Sequence, residues 1–254
     1  MNILGSFVIA FSMYSRIPMP QVEWTEERMR YCLCFFPLIG AVIGAAQLSL
    51  FAAGWRMGAG PLFTALLGPA IPRLITGGIH MDGYLDVTDA RRSYGDREKK
   101  LRILKDPHTG AFAIIGLGSY LLLYAGAISE LGFQELCLFA VIFVAERALS
   151  GLSVVLFPKA KEDGLVAQFS RTAVKRAVGG AMAAYLALSA CALLWLGGEK
   201  GLVCILTAAV SFYLYYRMSL REFGGITGDL AGYFLQSCER NAAIALALCR
   251  LAGL

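Results

Sequence analysis

Charge is scarce in this sequence of 254 residues, because Asp, Glu, Lys and Arg together make up 16% of it while 57% is hydrophobic. That scarcity excludes a soluble domain of ordinary composition, and the mean hydropathy of +0.62 favours a polytopic membrane protein. Histidine is scarcer still, and two histidines cannot build a His-rich metal site. The net charge of +5 is modest, so it fits membrane topology and gives no reason to expect a nucleic-acid partner.

The cysteine pattern and the N-terminus exclude two further features. The seven cysteines are odd in number and lie mostly within apolar runs, so we interpret them as small hydrophobic residues and not as disulfides. Residues 1–11 have no basic start and no small-residue cleavage site, which argues against a secretory signal peptide. This apolar stretch is also too short to span a bilayer, and we expect an interfacial or re-entrant helix.

Long apolar runs separated by polar segments predict an all-α fold, a polytopic helical bundle with about seven full spans after the short N-terminal helix. The expected spans are 31–54, 61–79, 110–129, 134–157, 177–196, 201–216 and 230–254. Pro69 and Pro72 predict a kink or a break in the second of them. We expect the polar segments 80–108, 158–176 and 217–229 to be loops. The whole chain, 1–254, should form a single integral-membrane catalytic domain.

Basic residues are concentrated on one side of this topology. The long polar segments hold nearly all of them, whereas the opposite turns carry only Arg56 and Lys200. By the positive-inside rule the long segments face the cytoplasm, so we expect a multi-pass protein of the inner membrane. Polar groups gathered at one face suit an enzyme whose active site faces the cytoplasm, because a transporter would usually keep such groups near the membrane midplane.

The most distinctive polar stretch, 77–89, carries Asp82, Asp86 and Asp89 at positions i, i+4 and i+7. In a helix these three carboxylates would lie on one face, where they repel one another unless a cation is bound among them. Oxygen ligands alone favour a hard divalent ion, most naturally Mg²⁺. The alternative is a solvated acidic helix start, since aspartate is favoured near a helix N-terminus.

Basic residues follow the aspartates directly and predict a phosphate ligand. Arg91, Arg92 and Lys105 could neutralise phosphate oxygens beside a carboxylate-bound metal, as phosphoryl transfer requires. The alternative for each residue is contact with anionic lipid at the membrane surface. The residues alone leave both interpretations open.

A second distinctive stretch is the glycine-rich segment 224–229. Gly225, Thr227 and Gly228 could bring successive backbone amides to an anion, and Asp229 could add a metal ligand from another helix. The alternative is a flexible turn whose aspartate caps the last helix.

Several ionisable residues fall within or near the apolar runs, where charge is costly, and should face the bundle interior or pair. They are Arg73, Glu146, Arg147, Glu239 and Arg240. Structural pairing between helices is one interpretation, and a polar cavity below the metal site is the other. Adjacent helical residues point about 100° apart, so we expect that Glu146 and Arg147 do not share a partner.

Together these motifs resemble the cobalamin synthase family, also called adenosylcobinamide-GDP ribazoletransferase. The resemblance covers nearly the full chain and rests on four stretches in order: 16–20, the T-G-G-x-H-x-D-G block at 76–83 with its later aspartates, 103–106, and G-G-x-T-G-D at 224–229. The chain departs from the usual family pattern at Tyr84, Leu85 and Ala90.

The resemblance implies an Mg²⁺-dependent enzyme that joins adenosylcobinamide-GDP to α-ribazole, or to α-ribazole 5′-phosphate, at the last stage of cobalamin biosynthesis, with release of GMP. The implied metal ligands are Asp82, Asp86, Asp89 and Asp229, and the implied catalytic residues are Asp82, His80 and Asp86. The implied phosphate-binding residues are Arg16, Arg91, Arg92, Lys105, Gly225, Thr227 and Gly228.

Two other functions are compatible with parts of the sequence. A CDP-alcohol phosphatidyltransferase also places aspartates at helical spacing at the membrane surface, but its G-x-x-x-D-x-x-x-D continuation is missing here. A small-solute transporter could use Glu146, Arg147, Glu239 and Arg240 as a relay. A homo-oligomer and association with other cobalamin-assembly enzymes are left open, as is the lower base that is accepted.

Overall fold

The computed structural model describes residues 3–162 and 164–254, and most of this chain is helical. The helices of the described residues are α1 Ile3–Tyr14, α2 Glu26–Met29, α3 Phe36–Arg56, α4 Pro61–Thr76, α5 Ile79–Arg92, α6 Arg97–Ile103, α7 Ala111–Ser129, α8 Phe133–Leu156, α9 Leu165–Thr172, α10 Lys175–Gly197, α11 Glu199–Met218 and α12 Gly228–Leu251. A 3₁₀ turn, Cys32–Phe35, precedes α3, and a π turn, Ser219–Phe223, follows α11. The predicted all-α helical bundle is confirmed.

Five helical segments of the described chain are long and apolar enough to cross a membrane, and α4 with α5 would make a sixth if counted as one bent span. The seven predicted spans are therefore not confirmed. The last expected span, α12, is not among the five because Gln236, Glu239 and Arg240 make its middle polar. It packs against α5, α7, α8 and α11 instead, so it does not need an apolar surface towards lipid.

The short N-terminal helix is present as α1, although Met1 and Asn2 of the expected stretch lie outside the described residues. It packs against the Cys32–Phe35 turn and α3, and it buries Ile9 and Phe11. Just beyond it, the backbone N–H of Arg16 donates a hydrogen bond of 2.7 Å to the carbonyl of Ile75. This contact fixes the end of α1 beside the junction of α4 and α5.

Two segments predicted as loops contain helices, so that prediction is wrong for them. The segment 80–108 holds α5 and α6, and 158–176 holds α9. Helix α5 forms because its apolar residues Met81, Tyr84 and Val87 recur at helical spacing and are buried. Helix α6 begins where the Asp96 carboxylate accepts a hydrogen bond of 2.9 Å from the backbone N–H of Lys99.

The predicted break in the second apolar run is present, but it lies at glycines and not at prolines. Pro69 and Pro72 are both inside α4, which continues to Thr76. The chain then turns by 105° between α4 and α5. Gly77 and Gly78 have φ angles of 67° and 83°, a region that side chains with a Cβ rarely adopt. These two glycines therefore set the direction of α5, the helix that carries the three aspartates.

Candidate active site

Helices α5 and α12 cross at a point where glycines replace side chains. A Cβ added to Gly83 would lie 2.7 Å from the backbone Cα of Asp229, and one added to Gly232 would lie 2.9 Å from the carbonyl oxygen of His80. Only glycine allows so close an approach of two helix backbones. The crossing therefore brings the start of the aspartate-bearing helix against Asp229, which is about 150 residues further along the chain.

The aspartate crossing, defined here as Asp82, Asp86 and Asp229, concentrates negative charge. The carboxylates of Asp82, Asp229 and Asp89 all lie close enough to Asp86 to interact with it electrostatically. None of the four forms an ion pair within 4.0 Å with any described residue. Asp89 lies at the edge of the group, with its carboxylate against Gly110 at the start of α7.

The donor set matches a hard divalent cation in chemistry, because it consists of carboxylate oxygens that lack cationic partners. Within residues 3–162 and 164–254, however, no three His, Cys, Asp or Glu side chains converge closely enough to hold one ion. The expectation that Asp82, Asp86, Asp89 and Asp229 bind Mg²⁺ thus stays a prediction. Its support is the unbalanced charge of the crossing.

Beside the crossing lies a cavity of about 170 Å³ that is lined in part by His80, Asp82 and Asp229. The His80 ring is buried between Tyr14 and Phe36, with ring centroids 6.2 and 5.9 Å away. Its Nε2 atom has no hydrogen-bond partner in the described chain. A buried imidazole nitrogen without a partner is available to a ligand that enters this cavity.

A second cavity, of about 280 Å³, lies on the other side of Asp229 and is basic. Lys105, Lys161, Thr227 and Gly228 line it together with Asp229. The Thr227 hydroxyl oxygen caps α12 by accepting a hydrogen bond of 3.2 Å from the backbone N–H of Leu230. The N-terminus of α12 thus faces two lysines, an arrangement that favours an anion such as phosphate.

The electrostatics of Asp229 reflect its place between the two cavities. Burial raises the pKa of its carboxyl group, and the nearby Asp82 carboxylate adds to the rise. The Thr227 hydroxyl, which donates to the Asp229 carboxylate at 3.3 Å, and the Lys161 ammonium group both oppose that shift. Lys161 was not singled out from the sequence, where it is one basic residue among many on the same side of the membrane.

Most backbone amides of the glycine-rich turn form hydrogen bonds within the protein and are not free to bind an anion. The backbone N–H groups of Gly224, Gly225 and Ile226 donate to the carbonyls of Leu220, Ser219 and Pro158 at 3.1, 3.1 and 2.8 Å. These three amides are already used, so they do not form the expected anion-binding nest. The part of the turn that still faces a cavity is Thr227 and Gly228.

None of the predicted arginines forms an ion pair within 4.0 Å with an aspartate of the described chain. Arg91 forms an ion pair of 3.1 Å with Glu222 and donates to the Tyr233 hydroxyl at 2.8 Å, on another face of α5. Arg92 lines a cleft on that same face. The Arg16 side chain is exposed and lies against Gly77, at the bend before α5. Of the basic residues predicted to bind phosphate, Lys105 alone lies in a cavity with Asp229.

A second charged group, the buried ion cluster, consists of Glu146 and Arg147 on α8 with Glu239 on α12, each at most 1% exposed. One Arg147 nitrogen binds Glu146 at 2.5 Å, and the other lies 4.0 Å from Glu239. Both α8 residues interact with Glu239. The expectation that they do not share a partner is wrong, because their long side chains bend towards each other across the helix surface. Arg240 points elsewhere, to the hydroxyl of Tyr84 at 3.1 Å.

Comparison with known proteins places the chain in one family. The sequence model of that family, described as cobalamin-5-phosphate synthase, matches residues 6–248. The chain belongs to the cobalamin-5-phosphate synthase family. The matched range contains α5, the glycine-rich turn and all but the last three residues of α12.

Relatives in this family carry the name adenosylcobinamide-GDP ribazoletransferase. One from Lachnoclostridium phytofermentans is 49% identical over 248 residues, which cover 98% of this chain and 95% of the relative. One from Clostridium perfringens is 30% identical over 243 residues, covering 94% and 96% of the two chains. One from Brevibacillus brevis is 29% identical over 244 residues, covering 96% and 98%. No solved structure matches the chain.

Proposed function

We propose that this protein joins adenosylcobinamide-GDP to α-ribazole, or to α-ribazole 5′-phosphate, and releases GMP. The family membership supports the class of reaction. The observation that carries the proposal is the position of Asp229, which lines both the cavity with His80 and Asp82 and the cavity with Lys105 and Lys161. Transfer at a diphosphate needs carboxylates for a metal and cations for phosphate oxygens, and here the two lie side by side.

The acidic side of the site would bind the metal. Asp82, Asp86, Asp89 and Asp229 would hold Mg²⁺. Once bound, the metal would neutralise the diphosphate and stabilise the departing GMP oxygens. On the basic side, Lys105, Lys161 and the N-terminus of α12 would orient the phosphate groups, with Thr227 and Gly228 at the contact.

The proton of the attacking hydroxyl group also needs an acceptor. His80, through its unpartnered Nε2, or a carboxylate of Asp82 or Asp86 would take that proton from the ribazole hydroxyl. The ribazole oxygen then bonds to the phosphorus nearer the cobinamide, and the bond from that phosphorus to the GMP oxygen breaks. Of these groups His80 is buried, and a fixed acceptor favours this step because it needs little reorganisation.

The site would face the cytoplasm of a cell whose inner membrane holds the five or six spans. The support is the concentration of lysines and arginines in the polar segments, two of which, Lys105 and Lys161, line a cavity with Asp229. Accessibility labelling of a cysteine placed at Glu98, on exposed α6, from the two sides of inverted vesicles tests this orientation.

Purified protein supplied with adenosylcobinamide-GDP, α-ribazole 5′-phosphate and Mg²⁺ should release GMP. The variant Asp82→Asn should lose this activity, whereas Asp96→Asn, which changes a carboxylate that caps α6, should keep it. Turnover of a CDP-alcohol with a lipid acceptor, in place of the corrinoid substrate, would refute the proposal. So would Asp82→Asn protein that releases GMP at the unmodified rate.

A further inference from the structure

A larger cleft lies on a different face of α5 from the aspartates. One part, of about 680 Å³, lies between α11 and α12, and another, of about 640 Å³, lies between α5, α7 and α12. The two parts share Arg91, Glu222, Tyr233 and Arg240. They therefore form one trough with α7 on one side, α11 on the other and α12 as its floor.

Helical geometry separates this trough from the candidate active site. Tyr84, Thr88 and Arg91 line it at helical spacing, and Tyr84 is about 200° around the helix from Asp82. Neither Asp82 nor Asp86 lines either part of the trough. A ligand in the trough would thus contact a different set of residues from a ligand between His80 and Lys161.

The trough has an excess of positive charge. Five arginines, Arg91, Arg92, Arg217, Arg221 and Arg240, line it with a single carboxylate, Glu222. Glu222 is already shared between Arg91 at 3.1 Å and Lys100 at 2.8 Å. In the described part of the chain no carboxylate lies within 4.0 Å of the other four arginines.

Arg240 is the residue that most needs an anion. It is eleven residues along α12 from Asp229, roughly 16 Å into the bundle. Its guanidinium group contacts neutral partners, the Tyr84 hydroxyl at 3.1 Å and the Asn241 side-chain oxygen at 3.0 Å. A cation at such depth is costly unless an opposite charge is near.

The rim of the trough is apolar and open to the side of the bundle. Phe112 and Ile115 on α7 are 44% and 62% exposed, and Leu214 on α11 is 56% exposed. Both helices are long and apolar enough to span the membrane. The trough therefore combines a cationic floor with walls that suit hydrocarbon chains, which is the complement of an anionic amphiphile.

We propose that this arginine trough binds an anionic phospholipid. The lipid phosphate would lie among Arg217, Arg221 and Arg240, and its acyl chains would run along the exposed apolar surfaces of α7 and α11. A free phosphate or nucleotide has the same headgroup chemistry but would leave those apolar walls uncovered. The lipid would enter laterally from the bilayer, and it would not occupy the cavities at Asp229.

Delipidated protein in a neutral detergent, titrated with phosphatidylglycerol or phosphatidylcholine and followed by native mass spectrometry, tests the proposal. Phosphatidylglycerol should bind more tightly, and Arg240→Gln should reduce its affinity about fivefold, as expected for one basic residue near an anionic lipid. Arg221→Gln, at an exposed position, provides a variant that should fold normally and lose a similar factor. Arg56→Gln, an exposed arginine at another turn of the bundle, should keep the preference.

Two outcomes would overturn the inference. One is equal affinity for the two lipids, or a preference that survives both Arg240→Gln and Arg221→Gln. The other is that inorganic phosphate or GMP, at concentrations that fill the trough, displaces phosphatidylglycerol. That result would assign the trough to a soluble ligand. Because the readout is lipid binding, it is independent of whether GMP release is detected.

Discussion

The aspartate crossing, on α5 and α12, and the buried ion cluster, on α8 and α12, share one helix and treat charge in opposite ways. In the cluster, the carboxylates of Glu146 and Glu239 are matched by Arg147, and Arg73 lies near enough to act on Glu239. In the crossing, no arginine of the described chain pairs with an aspartate, and Asp82 and Asp229 line cavities. Paired charges in the buried cluster stabilise the interior of the bundle. Unpaired charges beside a cavity indicate a ligand-binding site.

This difference predicts opposite responses to mutation. Removing a carboxylate from the crossing relieves repulsion and should not destabilise the protein, although it should remove function. Removing a charge from the cluster leaves the opposite charge buried and unpaired, away from water, and this should destabilise the fold. Stability and activity, measured on the same variants, therefore separate the two regions.

The largest expected effect is on catalysis at the crossing. Asp82→Asn and Asp229→Asn should each lower the rate of GMP release about 100- to 1,000-fold, the range found when a preorganised charged group is removed. Their melting temperatures should equal or exceed that of the unmodified protein. Glu98→Gln, on exposed α6, serves as the control and should retain both values. A melting temperature that falls together with activity would place the crossing among structural ion networks.

The largest expected loss of stability is in the buried ion cluster. Arg147→Leu should cost about 3–5 kcal/mol, because it leaves two buried glutamates without the ion-pair partner that they share. The matched control is Arg250→Leu, which breaks a partly exposed ion pair of 3.3 Å with Glu135 and should cost about 0–1 kcal/mol. Unfolding in mixed micelles measures both. Equal costs would show that burial does not distinguish the two pairs.

A smaller effect on both properties is expected at the helix crossing itself. Gly83→Ala places a Cβ 2.7 Å from the Asp229 backbone, so α5 and α12 must separate. We expect about 1–3 kcal/mol of destabilisation, as for an overpacked core, together with reduced GMP release. Gly118→Ala on α7, where an added Cβ meets nothing within 4 Å, should lower neither stability nor GMP release, and the higher helix propensity of alanine should raise stability slightly. Full activity in Gly83→Ala would mean that close contact of the backbones is not needed.

The smallest effect is expected at the basic cavity. Lys161→Gln should weaken substrate binding about tenfold and raise KM more than it lowers kcat, because the lysine would contact phosphate oxygens in both the ground state and the transition state. Lys99→Gln, at an exposed site on α6, should leave KM unchanged. Steady-state kinetics of GMP release distinguishes the two variants. A loss confined to kcat would assign Lys161 to the reacting atoms.

Local patterns in the sequence predict much of this arrangement. Five of the seven predicted apolar runs correspond to helices long and apolar enough to span a membrane, and the i, i+4, i+7 spacing of Asp82, Asp86 and Asp89 predicts their shared side of α5. The departure of α12 from the apolar pattern has a local signal too, in Gln236, Glu239 and Arg240. These polar residues mark a helix that is enclosed by other helices.

Contacts between distant segments could not be predicted in the same way. The close approach at Gly83 and Gly232 depends on how two helices cross, and a lone glycine in either helix has no distinctive meaning. The turn at Gly77 and Gly78 redirects α5, whereas Pro69 and Pro72 predict the break several residues too early. Lys161 reaches Asp229 only through the fold, whereas Arg91, close in sequence to the aspartates, faces away.

The most direct test of the crossing as a metal-dependent site is the melting temperature of the purified protein with and without Mg²⁺. Binding to the folded state should stabilise it by about 2.7 kcal/mol at a hundredfold excess over Kd, so Mg²⁺ should raise the melting temperature. Asp82→Asn and Asp229→Asn should abolish that increase, and Glu98→Gln should preserve it. An increase of the same size in all four proteins, or none in the unmodified protein, would contradict a magnesium site at the crossing of α5 and α12.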